Sequence, residues 1–209
     1  SRTPESNVES RASHAAGTAL VKDVGSSDSY YSEASRLTAV GDTLFFAADD
    51  GVHGSELWKS DGTEAGTVLV REIDPGDGGE DDYYSGPSTM AAAGDTLFFT
   101  IDDGVHGREL WRSDGTEAGT TLVKDISLDA YSSDPISLAA VGEKLFFSAR
   151  DGVNGRELWK TDGTALGTVL VADIEPGAGD SSPGAFQALG SLLLFQARRA
   201  AEGDELWRS

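Results

Sequence analysis

Cysteine is absent from the 209 residues, so disulfides and thiolate metal sites are excluded and stability has to come from packing. Histidine occurs only as His14, His53 and His106. No Gly-x-Ser-x-Gly elbow, His-Glu-x-x-His pair or phosphate-binding glycine loop is present, and nothing nominates a nucleophile with its base. Basic residues are few: 16 Lys plus Arg stand against 36 Asp plus Glu, a formal charge of -20. A surface this acidic repels phosphate backbones and anionic headgroups, which argues against nucleic acid and membrane surfaces as partners. It suits divalent cations, basic partners or plain solubility. No apolar run is long enough to span a bilayer, and the polar stretch Ser1 to His14 does not read as a signal peptide. Membrane insertion is therefore not expected, a leader is expected to have been removed, and residues 1–16, Ser-rich and polar, are expected to be flexible.

What the chain has is repetition. Glu-Leu-Trp recurs with its tryptophan at Trp58, Trp111, Trp159 and Trp207, spaced by 53, 48 and 48 residues. A period near fifty signals a repeat architecture. Three copies continue into Asp-Gly-Thr and then Gly-Thr, as in Asp61-Gly62-Thr63 with Gly66-Thr67; the others begin at Asp114 and Asp162. Each unit resolves into four short apolar runs bounded by glycine turns: 36–40, 43–48, a run around Trp58, and 67–73 in the first.

Four antiparallel strands per unit describe a propeller blade. The expected fold is all-β, a four-bladed β-propeller with blades near 35–73, 88–126, 136–174 and 185–209. The fourth unit stops after Trp207 without an outer strand, while Gly17 to Val24 matches the outer-strand segment Gly119 to Ile126. Residues 17–24 are therefore expected to complete the last blade, closing the ring and removing exposed sheet edges. A ring closed by its own ends is expected to be monomeric.

The string Glu109-Leu110-Trp111-Arg112-Ser113-Asp114-Gly115-Thr116 and its equivalents resemble the ELWxxDGT, or hyalin-like, repeat family of bacterial extracellular and cell-envelope proteins. The resemblance spans Gly17 to Ser209, with the fourth copy reduced to Glu205-Leu206-Trp207. It implies a secreted or cell-envelope location. It implies no shared reaction, so no catalytic residue is carried over.

A residue required once per repeat serves packing between units, and that is the reading adopted for the four tryptophans and for Leu57 on the opposite face of its strand. The Asp-Gly-Thr aspartates read as turn chemistry. More informative are the turns between second and third strands, which emerge on the same end as the blade-to-blade connections. Those turns carry Asp49, Asp50, Asp102, Asp103 and Asp151, the candidate ligands for a hard cation such as Ca2+. The connections carry Asp74, Asp77, Glu80, Asp81 and Asp82, together with Tyr30-Tyr31, Tyr83-Tyr84 and Tyr131. Tyr31, Tyr84, Tyr131, His53 and His106 are the candidate ligand-binding residues. The fourth unit departs from the pattern at Arg198-Arg199, either an interaction edge or drift of a terminal repeat.

Three functions fit. The first is a non-enzymatic binding or adhesion module whose acidic face holds a protein or glycan, with or without a cation. A carboxylate-based glycan hydrolase using Asp49 or Asp102 is the alternative, disfavoured because equivalent residues recur in several blades. The third is a structural spacer, including a version in which two chains join into a larger ring, which self-closure would disfavour.

Overall fold

The computed structural model describes residues 17–25, 33–74, 86–128 and 131–209. These residues form fifteen strands in four antiparallel sheets. The first sheet runs β1 (Ser35–Val40), β2 (Thr43–Asp49), β3 (Ser55–Ser60), β4 (Val68–Arg71) in sequence order. The second runs β5 (Met90–Ala93), β6 (Thr96–Asp102), β7 (Arg108–Ser113), β8 (Thr121–Lys124), and the third β9 (Ile136–Val141), β10 (Lys144–Arg150), β11 (Arg156–Thr161), β12 (Val169–Ala172). The fourth has three strands, β13 (Gly184–Leu189), β14 (Leu192–Arg199) and β15 (Gly203–Arg208). Inner strands are neighbours in order, β1 beside β5, β5 beside β9 and β9 beside β13. The fold is a four-bladed β-propeller type, as the repeat predicts.

Successive residues of a strand point to opposite faces, so a blade with neighbours on both sides needs apolar residues at consecutive positions. Phe45 and Phe46 show this. Phe45 joins Leu57 and Ile73 against Leu97, Phe99 and Trp111 of the next blade, whereas Phe46 packs with Trp58 on the other side of the sheet. The same seam forms between the second and third blades around Phe98, Leu110 and Phe147, and between the third and fourth around Phe146, Leu158 and Phe195. Leu57, Leu110 and Leu158 are each 0% exposed, a burial that contributes about 1.5–3 kcal/mol per side chain.

Polar pins run across two of these seams. The Arg71 guanidinium donates to the Thr120 carbonyl at 2.6 Å and sits over the Trp111 ring; the Lys124 ammonium donates to the Thr168 carbonyl at 3.0 Å and sits over the Trp159 ring. At the same end, the Asp-Gly-Thr turns are built as expected. Asp61 Oδ1 accepts from the Thr63 amide and hydroxyl, and Thr67 Oγ1 donates to the Thr63 carbonyl at 2.7 Å. A Cβ on Gly66 would lie 2.0 Å from Asp61 Oδ1, which explains the glycine before each threonine.

The closing strand differs from expectation. Residues 17–24 form no strand with β15, which pairs with β14 alone, and β13 makes no contact with β1 comparable to those between the other inner strands. Residues 17–24 instead lie against the first blade, where Val24 packs onto Phe46 and Trp58 and the Lys22 ammonium donates to the Thr67 carbonyl at 2.7 Å. Lys22 and Val24 take the places on the first blade that Arg71 and Ile73 take on the second.

Candidate binding face

The turns after β2, β6 and β10 fall at the end of the blades opposite the Asp-Gly-Thr turns, beside the blade-to-blade connections. Each is closed by one aspartate. Asp50 Oδ1 accepts from the Val52 and His53 amides at 2.9 and 3.0 Å, and its Oδ2 accepts from His53 Nδ1 at 2.8 Å. Asp103 does the same with Val105 and His106, with the His106 Nδ1 contact at 2.7 Å. In the third blade Asp151 accepts from the Val153 and Asn154 amides and from Asn154 Nδ2 at 2.7 Å. Asparagine replaces histidine there because the turn asks only for a side-chain N–H three residues after the aspartate.

These contacts set the charge states. Burial raises the Asp50 and Asp103 carboxyls, but the amide and imidazole donors outweigh it and hold both below the usual range. The hydrogen bond to its aspartate raises each imidazole above 6.5 against a smaller opposing burial effect. His53 and His106 are thus turn-closing cations in mildly acidic solution. The five candidate metal ligands occupy separate turns: Asp49 and Asp102 each accept an amide two residues on, from Gly51 and Gly104, and Asp50, Asp103 and Asp151 are engaged as above. Among the described residues no three His, Asp or Glu side chains gather as a metal site.

The tip of every one of these turns carries an exposed valine. Val52, Val105 and Val153 are 79%, 66% and 69% exposed, in equivalent positions on three successive blades. Tyr131 is exposed in the connection between the second and third blades, with Leu128 exposed nearby in the chain. Tyr31 and Tyr84 lie outside the described residues, as do Tyr30, Tyr83, Asp77, Glu80, Asp81 and Asp82.

Beneath this face lies a set that sequence reasoning missed, the glutamates of Glu-Leu-Trp. Glu56, Glu109 and Glu157 are fully buried and hold the connection to the next blade by its backbone. Glu109 accepts from the amides of Ile126, Ser127 and Ser133 and from the Ser133 hydroxyl at 2.5 Å. Glu157 repeats the pattern with Ile174, Glu175 and Ser181, and Glu56 accepts from Ile73 and Asp74. Burial outweighs those donors and raises all three carboxyls, to about 7 for Glu56 and Glu109. Arg108 and Arg156 brace the same connections through carbonyls, Gly86 O and Thr100 O for the first and Asp134 O and Ser148 O for the second. The available signal was the recurrence of a charged residue two places before each tryptophan, hence on the same buried sheet face.

No protein-family model matches the chain, and no curated protein sequence matches it. Among solved structures, a crystal structure of puromycin hydrolase superposes with a TM-score of 0.55 at 16% identity, over 86% of this chain and 27% of that one. A point mutant of puromycin hydrolase complexed with PGG gives 0.52 at 16% identity, over 80% and 25%. TolB from Acinetobacter baumannii gives 0.45 at 15% identity, over 79% of this chain and 38% of TolB. The chain thus spans about a quarter of the length of puromycin hydrolase. At this identity the likeness to puromycin hydrolase is one of fold, and it agrees with the blade architecture.

No helix among the described residues is long and apolar enough to cross a membrane.

Proposed function

We propose that this chain is a non-enzymatic, extracellular binding or adhesion module that contacts a protein partner through the turn face. The observation that carries the reading is the repeated display of Val52, Val105 and Val153 on turns closed by Asp50, Asp103 and Asp151. A side chain held out by a rigid turn loses little entropy on binding, and three apolar tips set among carboxylates fit a partner with apolar pockets and a basic rim. The hydrolase alternative has less support. Paired catalytic carboxylates need an acid beside a base at a common point, whereas Asp49 and Asp102 lie in the turns of different blades, each accepting the amide of the glycine two residues on. Tyr131 and the secreted location belong to the same proposal.

The test is binding of the chain to a peptide library rich in lysine and leucine, in parallel with a glycan array. Wild-type protein is expected to select peptides with an affinity that falls as salt rises. A Val52→Ser, Val105→Ser, Val153→Ser variant is expected to lose that selection while keeping its unfolding transition. Equal selection by both proteins, or turnover of an arrayed glycan, would remove the proposal.

A further inference from the structure

The turn between β10 and β11 ends in a glycine that the fold cannot replace. A Cβ on Gly155 would lie 2.0 Å from the Gly179 carbonyl oxygen, and its φ of +68° is in the left-handed region. The residue before it is Asn154, so this turn carries an Asn-Gly pair whose glycine is dictated by packing. The equivalent pairs in the first two blades are His53-Gly54 and His106-Gly107, and the other asparagine of the chain, Asn7, precedes Val8. Asparagine followed by glycine is the pair in which the next backbone nitrogen reaches the side-chain carboxamide most easily, because glycine has no Cβ to shield that nitrogen.

The two groups that would react are held differently. Among the described residues the Gly155 N–H donates to no acceptor. The adjoining tip residue Val153 is exposed, so water and base reach the turn. The carboxamide, by contrast, is pinned. Asn154 Nδ2 donates to Asp151 Oδ2 at 2.7 Å, and the Asn154 backbone amide donates to Asp151 Oδ1 at 2.7 Å. One carboxylate thus fixes both the side chain and the backbone of the residue whose Cγ would have to swing toward the Gly155 nitrogen.

We propose that Asn154 is a site of spontaneous deamidation, paced by release of its carboxamide from Asp151. When that latch opens locally, the Gly155 nitrogen attacks Asn154 Cγ. A C–N bond forms, the proton of that nitrogen passes to solvent base, and the Cγ–Nδ2 bond breaks with Nδ2 leaving as ammonia. Water then opens the cyclic imide. Attack at Cγ leaves aspartate in a normal backbone, whereas attack at the main-chain carbonyl of residue 154 leaves isoaspartate, with the chain running through Cγ. Neither product closes the turn. Burial raises the Asp151 carboxyl, but its amide and carboxamide donors outweigh it and keep the group charged at neutral pH, so a new carboxylate at residue 154 meets a like charge where a donor stood. Isoaspartate also adds a methylene to the backbone beside Gly155, where no room exists for a Cβ. The first two blades close their turns with His53 and His106, which cannot react this way, so ageing acts on the third turn alone.

The test is incubation of the 209-residue chain in mildly alkaline buffer, followed by tryptic mapping. Cleavage after Arg150 and Arg156 releases residues 151–156 as a peptide of their own, whose mass rises when NH2 is exchanged for OH. Wild-type protein is expected to convert at that peptide several-fold more slowly than the free hexapeptide, releasing ammonia and yielding product that an isoaspartate methyltransferase labels. Asp151→Ala is expected to convert several-fold faster than wild type. Asp103→Ala, which opens the equivalent turn of the second blade, is expected to convert at the wild-type rate and so separates the local latch from general destabilisation. Asn154→His, carrying the residue of the other two turns, is expected not to convert while keeping its far-UV spectrum. No conversion of wild type over a period that converts the free peptide, equal rates in wild type and Asp151→Ala, or equal acceleration by Asp103→Ala would each overturn the proposal.

Discussion

The Lys22 ammonium donates to the Thr67 carbonyl oxygen at 2.7 Å across 45 residues of sequence, the contact that Lys124 makes to Thr168 at 3.0 Å between the second and third blades. A segment with no strand partner thus occupies a strand's place. That makes the seams between blades the unit from which stability is argued.

Truncation should separate filled seams from the open one. Leu110→Ala removes a side chain packed with Phe147 and Trp159 and is expected to cost about 2–5 kcal/mol in urea unfolding. Leu206→Ala is expected to fall within about 0.5 kcal/mol of wild type because the side chain is exposed. Equal costs at the two positions would contradict the difference between the blades.

Stability should pass through a maximum on the acid side of neutrality. Glu56 and Glu109 are raised from 4.5 to about 7, so the folded state holds their protons more tightly than the unfolded state. The stability they contribute is fully present below pH 4.5 and is lost as pH rises toward 7. His53 and His106, raised above 6.5, act in the same sense. Turn aspartates such as Asp61, Asp103 and Asp162 are lowered below 3.8, and their contribution disappears in stronger acid. Urea midpoints measured from pH 3 to 8 should rise and then fall, and Glu109→Gln should flatten the fall between pH 4.5 and 7. A midpoint still rising toward pH 7 would show that burial does not dominate these carboxyls.

The Asp-His turns predict a coupled titration. Proton NMR of His106 should report a pKa above 6.5, and Asp103→Asn should return it toward 6.5 by removing the charge that its Nδ1–H faces. Asp103→Ala, which also strips the Val105 and His106 amides of their acceptor, is expected to cost about 1–3 kcal/mol. Unchanged His106 titration in Asp103→Asn would mean the imidazole is not held there in solution.

Calcium should leave the turn face indifferent. The carboxylates at Asp50, Asp103 and Asp151 each accept two backbone amides and a side-chain donor, which occupies the oxygens a hard cation would take. Thermal unfolding of metal-stripped protein with and without millimolar calcium is expected to show the same transition temperature. A rise of several degrees would identify a folded-state cation site by mass action.

The blades were legible because a strand exposes its environment in its pattern. Consecutive apolar residues at Leu44-Phe45-Phe46 announce burial on both faces, and Glu-Leu-Trp at a period near fifty announces a unit that stacks on copies of itself. Turn chemistry is equally local, so Asp61-Gly62-Thr63 was readable from residue types alone. The role of Glu109 was not, because its partners Ile126, Ser127 and Ser133 are 17 to 24 residues away and a charged residue in a strand ordinarily signals solvent.

From the sequence alone came the number of blades, the strand pattern within each, and the register in which Gly17 to Val24 matches an outer strand. Those are properties of short segments and their spacing, set by side-chain alternation and backbone preference. Only the tertiary structure decided that the matching segment rests on the first blade while β15 keeps an open edge. Complementarity between two segments is written in their residues, but whether they meet depends on the angle accumulated over the seams packed between them.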